Sequence, residues 1–147
     1  MFKHILVPTD GSDHSNLAVT AAAQLARTLQ AKLLVLHVRS PLESPHHVEG
    51  GALRSLGGAA VLREVEDEER KLLDAALHIA KLEGASAEQA FIAGYSPFEA
   101  IIRIAGEERC DLIVMASHGR RGIGGFLLGS ETQKVLTHTT IPVLIVR

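Results

Sequence analysis

Five short runs of consecutive apolar residues, set apart by stretches of helical periodicity, constrain this chain more than any other feature. The runs are Ile5 to Pro8, Leu33 to Val38, Ala90 to Ala93, Leu112 to Met115 and Val143 to Val146. A strand with one wet face alternates apolar and polar residues. Several of these runs do not alternate, as expected of a parallel sheet covered on both faces. Between the first two runs, Ala18, Ala22, Leu25, Ala26 and Leu29 share a helix face, with Ser12 or Asp13 placed to cap it. Leu62, Val65, Glu69, Leu72, Ala76 and Ala80 form a second, mostly apolar stripe. The charges opposite it, Glu66, Asp67, Glu68, Arg70 and Lys71, read as a solvated face. A third helix starts with Ser96 as N-cap, Pro97 at its first position and Glu99 completing a capping box. Ser130 and Gln133 repeat that device for the last helix. The alternation predicts an α/β fold, an open, doubly wound parallel sheet with helices on both faces. Only Ser40 to Gly58 breaks the pattern, and its prolines and glycines read as a long mobile loop.

Composition removes several classes of function. With 147 residues, 46% hydrophobic and 22% charged, the chain fits one folded domain, residues 1–147. A net charge of −2 offers no footprint for nucleic acid. Cys110 is the only cysteine, so no internal disulfide forms, which is compatible with a reducing compartment. No apolar run approaches the roughly 20 residues that span a bilayer. Met1-Phe2-Lys3-His4 leads into a strand without a signal-peptide core. The expectation is a cytoplasmic protein.

The chemistry concentrates in the glycine-punctuated segment from Ala116 to Ser130, between the fourth strand and the last helix. A flexible loop opening a helix gathers outward backbone N–H groups at the positive end of the helix dipole, which suits a phosphate. Arg120 and Arg121 add to that potential. In open α/β sheets ligands bind beyond the carboxyl ends of the strands, where strand order reverses. If the first and fourth strands are neighbours, Asp10, in the loop Pro8-Thr9-Asp10-Gly11-Ser12, faces this segment. Its carboxylate would bond a ribose hydroxyl or a phosphate-bound divalent metal, or it would only shape the turn with Gly11.

Other nucleotide and catalytic folds fail on particular residues. A P-loop requires a Gly-Lys pair, and the chain has none. Gly122-Ile123-Gly124 meets Leu127 where a dinucleotide fingerprint needs glycine. Ala93-Gly94-Tyr95 carries no phosphorylatable Asp, and no Gly-x-Ser-x-Gly elbow occurs. His46-His47 has no carboxylate or Cys at ligand spacing, so no metal ligand is assigned. Cys110 reads as a packed residue.

Four segments carry a family resemblance at consistent spacing. They are Ile5-Leu6-Val7-Pro8-Thr9-Asp10-Gly11-Ser12, Leu36-His37-Val38, Asp111 to Gly119, and Pro142-Val143-Leu144-Ile145-Val146. Together they resemble the universal stress protein family over nearly the full length. The resemblance implies strand order 3-2-1-4-5 and a homodimer paired through the last strands, Val143, Leu144, Ile145 and Val146. Nucleotide-binding members share Gly, two residues, Gly, nine residues, Gly, then Ser or Thr. Gly119, Gly129 and Ser130 fit, whereas Ala116 stands at the first glycine, adding a methyl group and restricting positive φ.

By matched position, the resemblance implies an ATP or AMP site with Mg²⁺ or Mn²⁺ for the triphosphate. Asp10, beside Pro8 and Thr9, would contact ribose or metal, and the Val38 backbone would meet adenine. Gly119, Gly129, Ser130 and Glu131 would present N–H groups to phosphates, with Arg120 offsetting the Glu131 charge. His118 would reach a phosphate, or sit as a turn histidine satisfied by backbone. The reading is therefore a regulatory nucleotide-binding module in stress response, with slow hydrolysis at most. The alternative is a nucleotide-free member acting through dimerisation and protein contacts.

Overall fold

The computed structural model describes residues 1–40, 58–118 and 128–147, with only the backbone of 58–62. Its elements are β1 (His4–Pro8), α1 (Asp13–Leu29), β2 (Lys32–Arg39), α2 (Gly58–Leu82), β3 (Ala87–Ala93), α3 (Pro97–Glu107), β4 (Leu112–Ala116), α4 (Ser130–His138) and β5 (Val143–Val146). The five strands form one parallel sheet in the order β3-β2-β1-β4-β5. The expected loop over Ser40 to Gly58 lies almost wholly outside the described residues.

Consecutive apolar residues divide between two cores because strand side chains alternate faces. Ile5, Val7, Leu33, Val35, Leu112 and Val114 pack with Ala18, Val19, Ala22, Ala23 and Ala26 of α1 and Leu73, Ala76 and Ala80 of α2. Leu6, Leu34, Leu36, Ile113 and Met115 pack on the other face against Ile101, Ile104 and Ala105 of α3 and Val135 of α4. Each fully buried valine, leucine, isoleucine or methionine among them contributes about 1.5–3 kcal/mol. The buried face of α1 keeps Ala18, Ala22 and Ala26 of the expected stripe and widens to Ser15, Val19 and Ala23, leaving Leu25 and Leu29 only partly covered.

Two helix starts differ from the sequence expectation. Ser96 is the N-cap of α3, but its side chain makes no capping bond, and the Phe98 N–H donates to the Glu131 carboxylate at 2.8 Å. A charged acceptor outcompetes a hydroxyl there. The N-cap of α4 is Gly129 rather than Ser130, with the Gln133 N–H donating to the Gly129 carbonyl at 3.0 Å. β3 is longer than expected, starting at Ala87, because an edge strand tolerates the exposed Glu88 and Gln89.

Candidate functional site

The turn after β1 is built from its own side chains. The Thr9 N–H donates to the Leu36 carbonyl at 2.8 Å, which fixes the end of β1 against β2. Thr9 Oγ1 accepts the Gly11 N–H at 3.2 Å and lies 3.1 Å from Ser15 Oγ, and Thr9 is buried. Its carbonyl accepts from His37 Nδ1 at 2.9 Å. Asp10 Oδ1 accepts the Ser12 N–H at 3.0 Å, and Gly11 supplies the positive φ of 76° that closes the turn. Ser12 then caps α1, accepting the Ser15 N–H at 3.2 Å. Asp10 thus has a turn-shaping role, whatever else its carboxylate meets.

Across the sheet the end of β4 holds the start of α4. The Gly129 N–H donates to the Ser117 carbonyl at 2.7 Å, and Thr132 Oγ1 donates to the Ala116 carbonyl at 3.0 Å. A Cβ on Gly129 would stand 3.2 Å from the Ser117 oxygen and 3.5 Å from His118 Cα, so glycine permits this approach. Among the described residues no side chain caps α4, and its first-turn amides have no carbonyl within the helix to bond. Ala116 ends β4 in extended backbone and is not among the residues with positive φ, so alanine carries no strain here.

His118 departs from the reading of a turn histidine satisfied by backbone. Its Nδ1 lies 3.1 Å from Ser117 Oγ, a side-chain rather than a backbone partner. Its Nε2 is buried without a partner among the described residues, and the His14 ring stands 6.1 Å away. The Glu131 carboxylate turns to the start of α3 and to Lys134 Nζ, 2.9 Å away. Gly119 and Arg120 lie outside the described residues.

The ladders show where the sheet opens. Pairing of β1 with β4 covers only Ile5–Leu112 and Leu6–Ile113, although β1 runs to Pro8 and β4 to Ala116. This is the point of reversal in strand order, with the Thr9–Ser12 turn on one side and the start of α4 on the other. The Leu36 carbonyl points to β1, and backbone groups two residues apart on a strand point the same way. The N–H and C=O of Val38 therefore project toward β1 beyond Leu36–Pro8, where pairing with β1 ends. Arg39 projects the opposite way, its carbonyl accepting the Gly94 N–H.

Pro8, Thr9, Asp10, Val38, Ala116, His118, Gly129, Ser130 and Glu131 thus all come to the carboxyl edge of β1, β2 and β4. Sequence reasoning missed Thr132 and Ser117, whose bonds tie α4 to β4. Their signal was slight: one polar residue each beside the glycine pattern. It also missed the purpose of Glu69, which breaks an apolar stripe because it pairs with Arg39 Nη1 at 3.2 Å and lies 4.0 Å from His37 Nε2.

Two groups with shifted pKa lie away from this edge. Burial, then the charges of Glu108 and Asp111, push the Cys110 thiol up to about 11. Burial raises the Asp111 pKa, but amide bonds from His4, Lys3 and Asp111 itself outweigh it and hold the carboxyl below its usual value. Both residues sit at the amino end of β4. Among the described residues no group of three or more His, Cys, Asp or Glu side chains is placed to hold a metal ion. Among them, too, no helix is long and apolar enough to cross a membrane.

Comparison with known proteins agrees with this architecture. The family model for the universal stress protein family matches residues 1–147. Universal stress protein YxiE of Bacillus subtilis is 38% identical over 149 residues, covering all of both chains. The Thermus aquaticus universal stress protein in the QAH/OAS sulfhydrylase 3′ region is 36% identical over 147 residues, again covering all of both. A solved universal stress protein in complex with cAMP superimposes with a TM-score of 0.70 at 29% identity, over 99% of this chain and 97% of that one. The chain belongs to the universal stress protein family.

Proposed function

We propose that this protein is a cytoplasmic, single-domain adenine-nucleotide-binding regulatory module of the stress response, taking ATP or AMP in the cleft between β1 and β4. The observation that carries the reading is the start of α4, which no described side chain caps and which Gly129 pins against the end of β4 at the sheet's point of reversal. Phosphates take the amides of Gly119, Ser130 and Glu131 and the Ser130 hydroxyl, where the helix dipole favours negative charge; the Gly129 N–H, expected to join them, is instead committed to the Ser117 carbonyl. Arg120 adds positive charge beside them. His118 Nε2, buried without a partner among the described residues, is a further donor or acceptor for the ligand. Adenine pairs with the Val38 N–H and C=O, which project past the end of the β1 ladder. Pro8 and Thr9 form the wall beside Asp10, which contacts ribose or metal. The cAMP complex of a relative supports an adenine ligand.

Asp10, with no cluster of three or more metal-ligating side chains among the described residues, suits Mg²⁺ or Mn²⁺ carried mainly by phosphates and water. When bound, the ion offsets triphosphate charge. The chain's own groups orient the nucleotide, and nothing in the cleft is assigned as a nucleophile, so hydrolysis is slow at most.

The same reading includes a homodimer through β5, an edge strand whose Leu144 is 43% exposed. Even-numbered carbonyls of β5 face β4, the Ile113 N–H donating to Pro142 and the Ser117 N–H to Val146, so Val143 and Ile145 turn their backbone groups outward. Antiparallel pairing with a second copy would satisfy them and close a two-fold assembly. Ala116 at the first motif glycine favours a second reading, a nucleotide-free dimer acting through protein contacts. Calorimetry with ATP and AMP, with and without Mg²⁺, separates the two. Heat and a thermal shift support nucleotide binding, and neither at millimolar ATP rejects it.

A further inference from the structure

We propose that Phe98 and one face of α4 form a clip that sets the heading of the phosphate-binding helix, with Glu131 as its positioning residue. The inference rests on the nucleotide reading above. Pro97 has no N–H, so the Phe98 amide is the first donor of α3 without an intrahelical acceptor. Ser96 stands where a serine would cap, yet its Oγ is buried without a partner among the described residues. Glu131 Oε2 takes the Phe98 N–H instead, at 2.8 Å, from another helix. Three and seven residues on, Lys134 Nζ lies 5.3 Å from the centre of the Phe98 ring, and the His138 ring lies 5.4 Å from it. Residues 131, 134 and 138 share one helix face, so α4 grips a single residue of α3 along its length.

This grip resolves a conflict of charge. A carboxylate on the second residue of α4 would oppose a phosphate bound at that helix start. Held on the start of α3 and beside Lys134, its charge favours the α3 dipole instead. The side chain of Glu131 thus faces α3 while its amide remains with the phosphate site. The Glu131 side chain acts on nucleotide through the orientation of α4, not through contact with it.

The test titrates Mg²⁺-ATP into wild type, Glu131→Ala and Glu131→Gln by calorimetry, and follows exchange of the Phe98 amide by NMR. Alanine removes the acceptor and is expected to weaken binding by about five- to tenfold, while glutamine keeps an acceptor oxygen and stays within about twofold. Phe98 exchange should accelerate in Glu131→Ala and not in Glu131→Gln. Unchanged binding by Glu131→Ala, or tighter binding by both variants, overturns the clip. The second of these would place the carboxylate against the phosphates. Should Glu131→Ala fail to fold, Phe98→Leu decides, since it keeps the amide and removes the ring contacts. A loss of about threefold is expected, and none overturns the proposal. A wild type that gives no heat at millimolar ATP instead removes the nucleotide reading itself, and the positioning role with it.

Discussion

Replacing Gly129 by valine tests the phosphate site at its narrowest point. The backbone at 129, φ −57° and ψ 147°, suits any residue, so the cost is steric and not torsional. A Cβ there meets the Ser117 oxygen at 3.2 Å and His118 Cα at 3.5 Å, both backbone atoms that cannot swing away. The two γ-methyls of valine fall in the same crowded space, so the start of α4 must retreat and the 2.7 Å bond from the Gly129 N–H to Ser117 must stretch. Overpacking of this kind costs about 1–3 kcal/mol. For a chain of this length the melting temperature falls by roughly 3–10 °C. Retreat also displaces the Ser130 and Glu131 amides. Two bonds to a charged group, at about 1.5 kcal/mol each or more, make the loss in ATP affinity on the order of 100-fold or greater. Thermal denaturation and calorimetry on the same preparations give both numbers. Gly106→Ala is the control, because a Cβ there meets nothing within 4 Å in α3. It should gain about 0.5–1 kcal/mol and leave ATP affinity unchanged. A folded Gly129→Val protein that binds ATP like wild type would refute the reasoning.

Ala116→Gly should tighten ATP binding by about fivefold, or ~1 kcal/mol, since the methyl group, not backbone strain, is what narrows the cleft; unchanged affinity in a folded variant rejects that account. Ile145→Pro removes an outward-facing amide and leaves the ladder with β4 intact, so sedimentation should show a folded monomer where wild type is a dimer at micromolar concentration. Wild type sedimenting as a monomer would count against the β5 interface. Asp111 has a folded pKa below its unfolded one, so its contribution is present above the ordinary carboxylate range, roughly pH 4, and is lost as pH falls through the folded value. Asp111→Asn should therefore flatten the acid limb of the stability curve, and an unchanged limb would deny the carboxylate that role. Cys110, buried with its pKa at about 11, should resist alkylation at pH 8 until the protein unfolds, and rapid native labelling would contradict the packing.

The runs of consecutive apolar residues were enough to place all five strands, because a strand covered on both faces must be apolar at successive positions. Val143 to Val146 was legible to the residue, and Leu33 to Val38 needed one more residue at each end. The residues matched to the family motif all reach the same edge wherever the structure describes them, since strand ends and helix starts follow directly from a parallel alternating chain. Strand order was not legible from periodicity; it came with the family resemblance, because local pattern does not record which strands are neighbours.

Contacts distant in sequence decided the rest. The serine at 96 reads as a cap, but the acceptor on α3 is Glu131, 33 residues away. Ser130 also reads as a cap, but bonds to Ser117 and Ala116 set the start of α4 one residue earlier. Glu69 looks misplaced until Arg39 and His37 of β2 stand beside it. The direction of the Val38 amide depends on the end of β1, which the residues around Val38 do not encode. Local propensity and period are properties of a few neighbouring residues. A hydrogen-bonding partner brought in by the fold is not, and where such a partner carries charge it overrides the local preference.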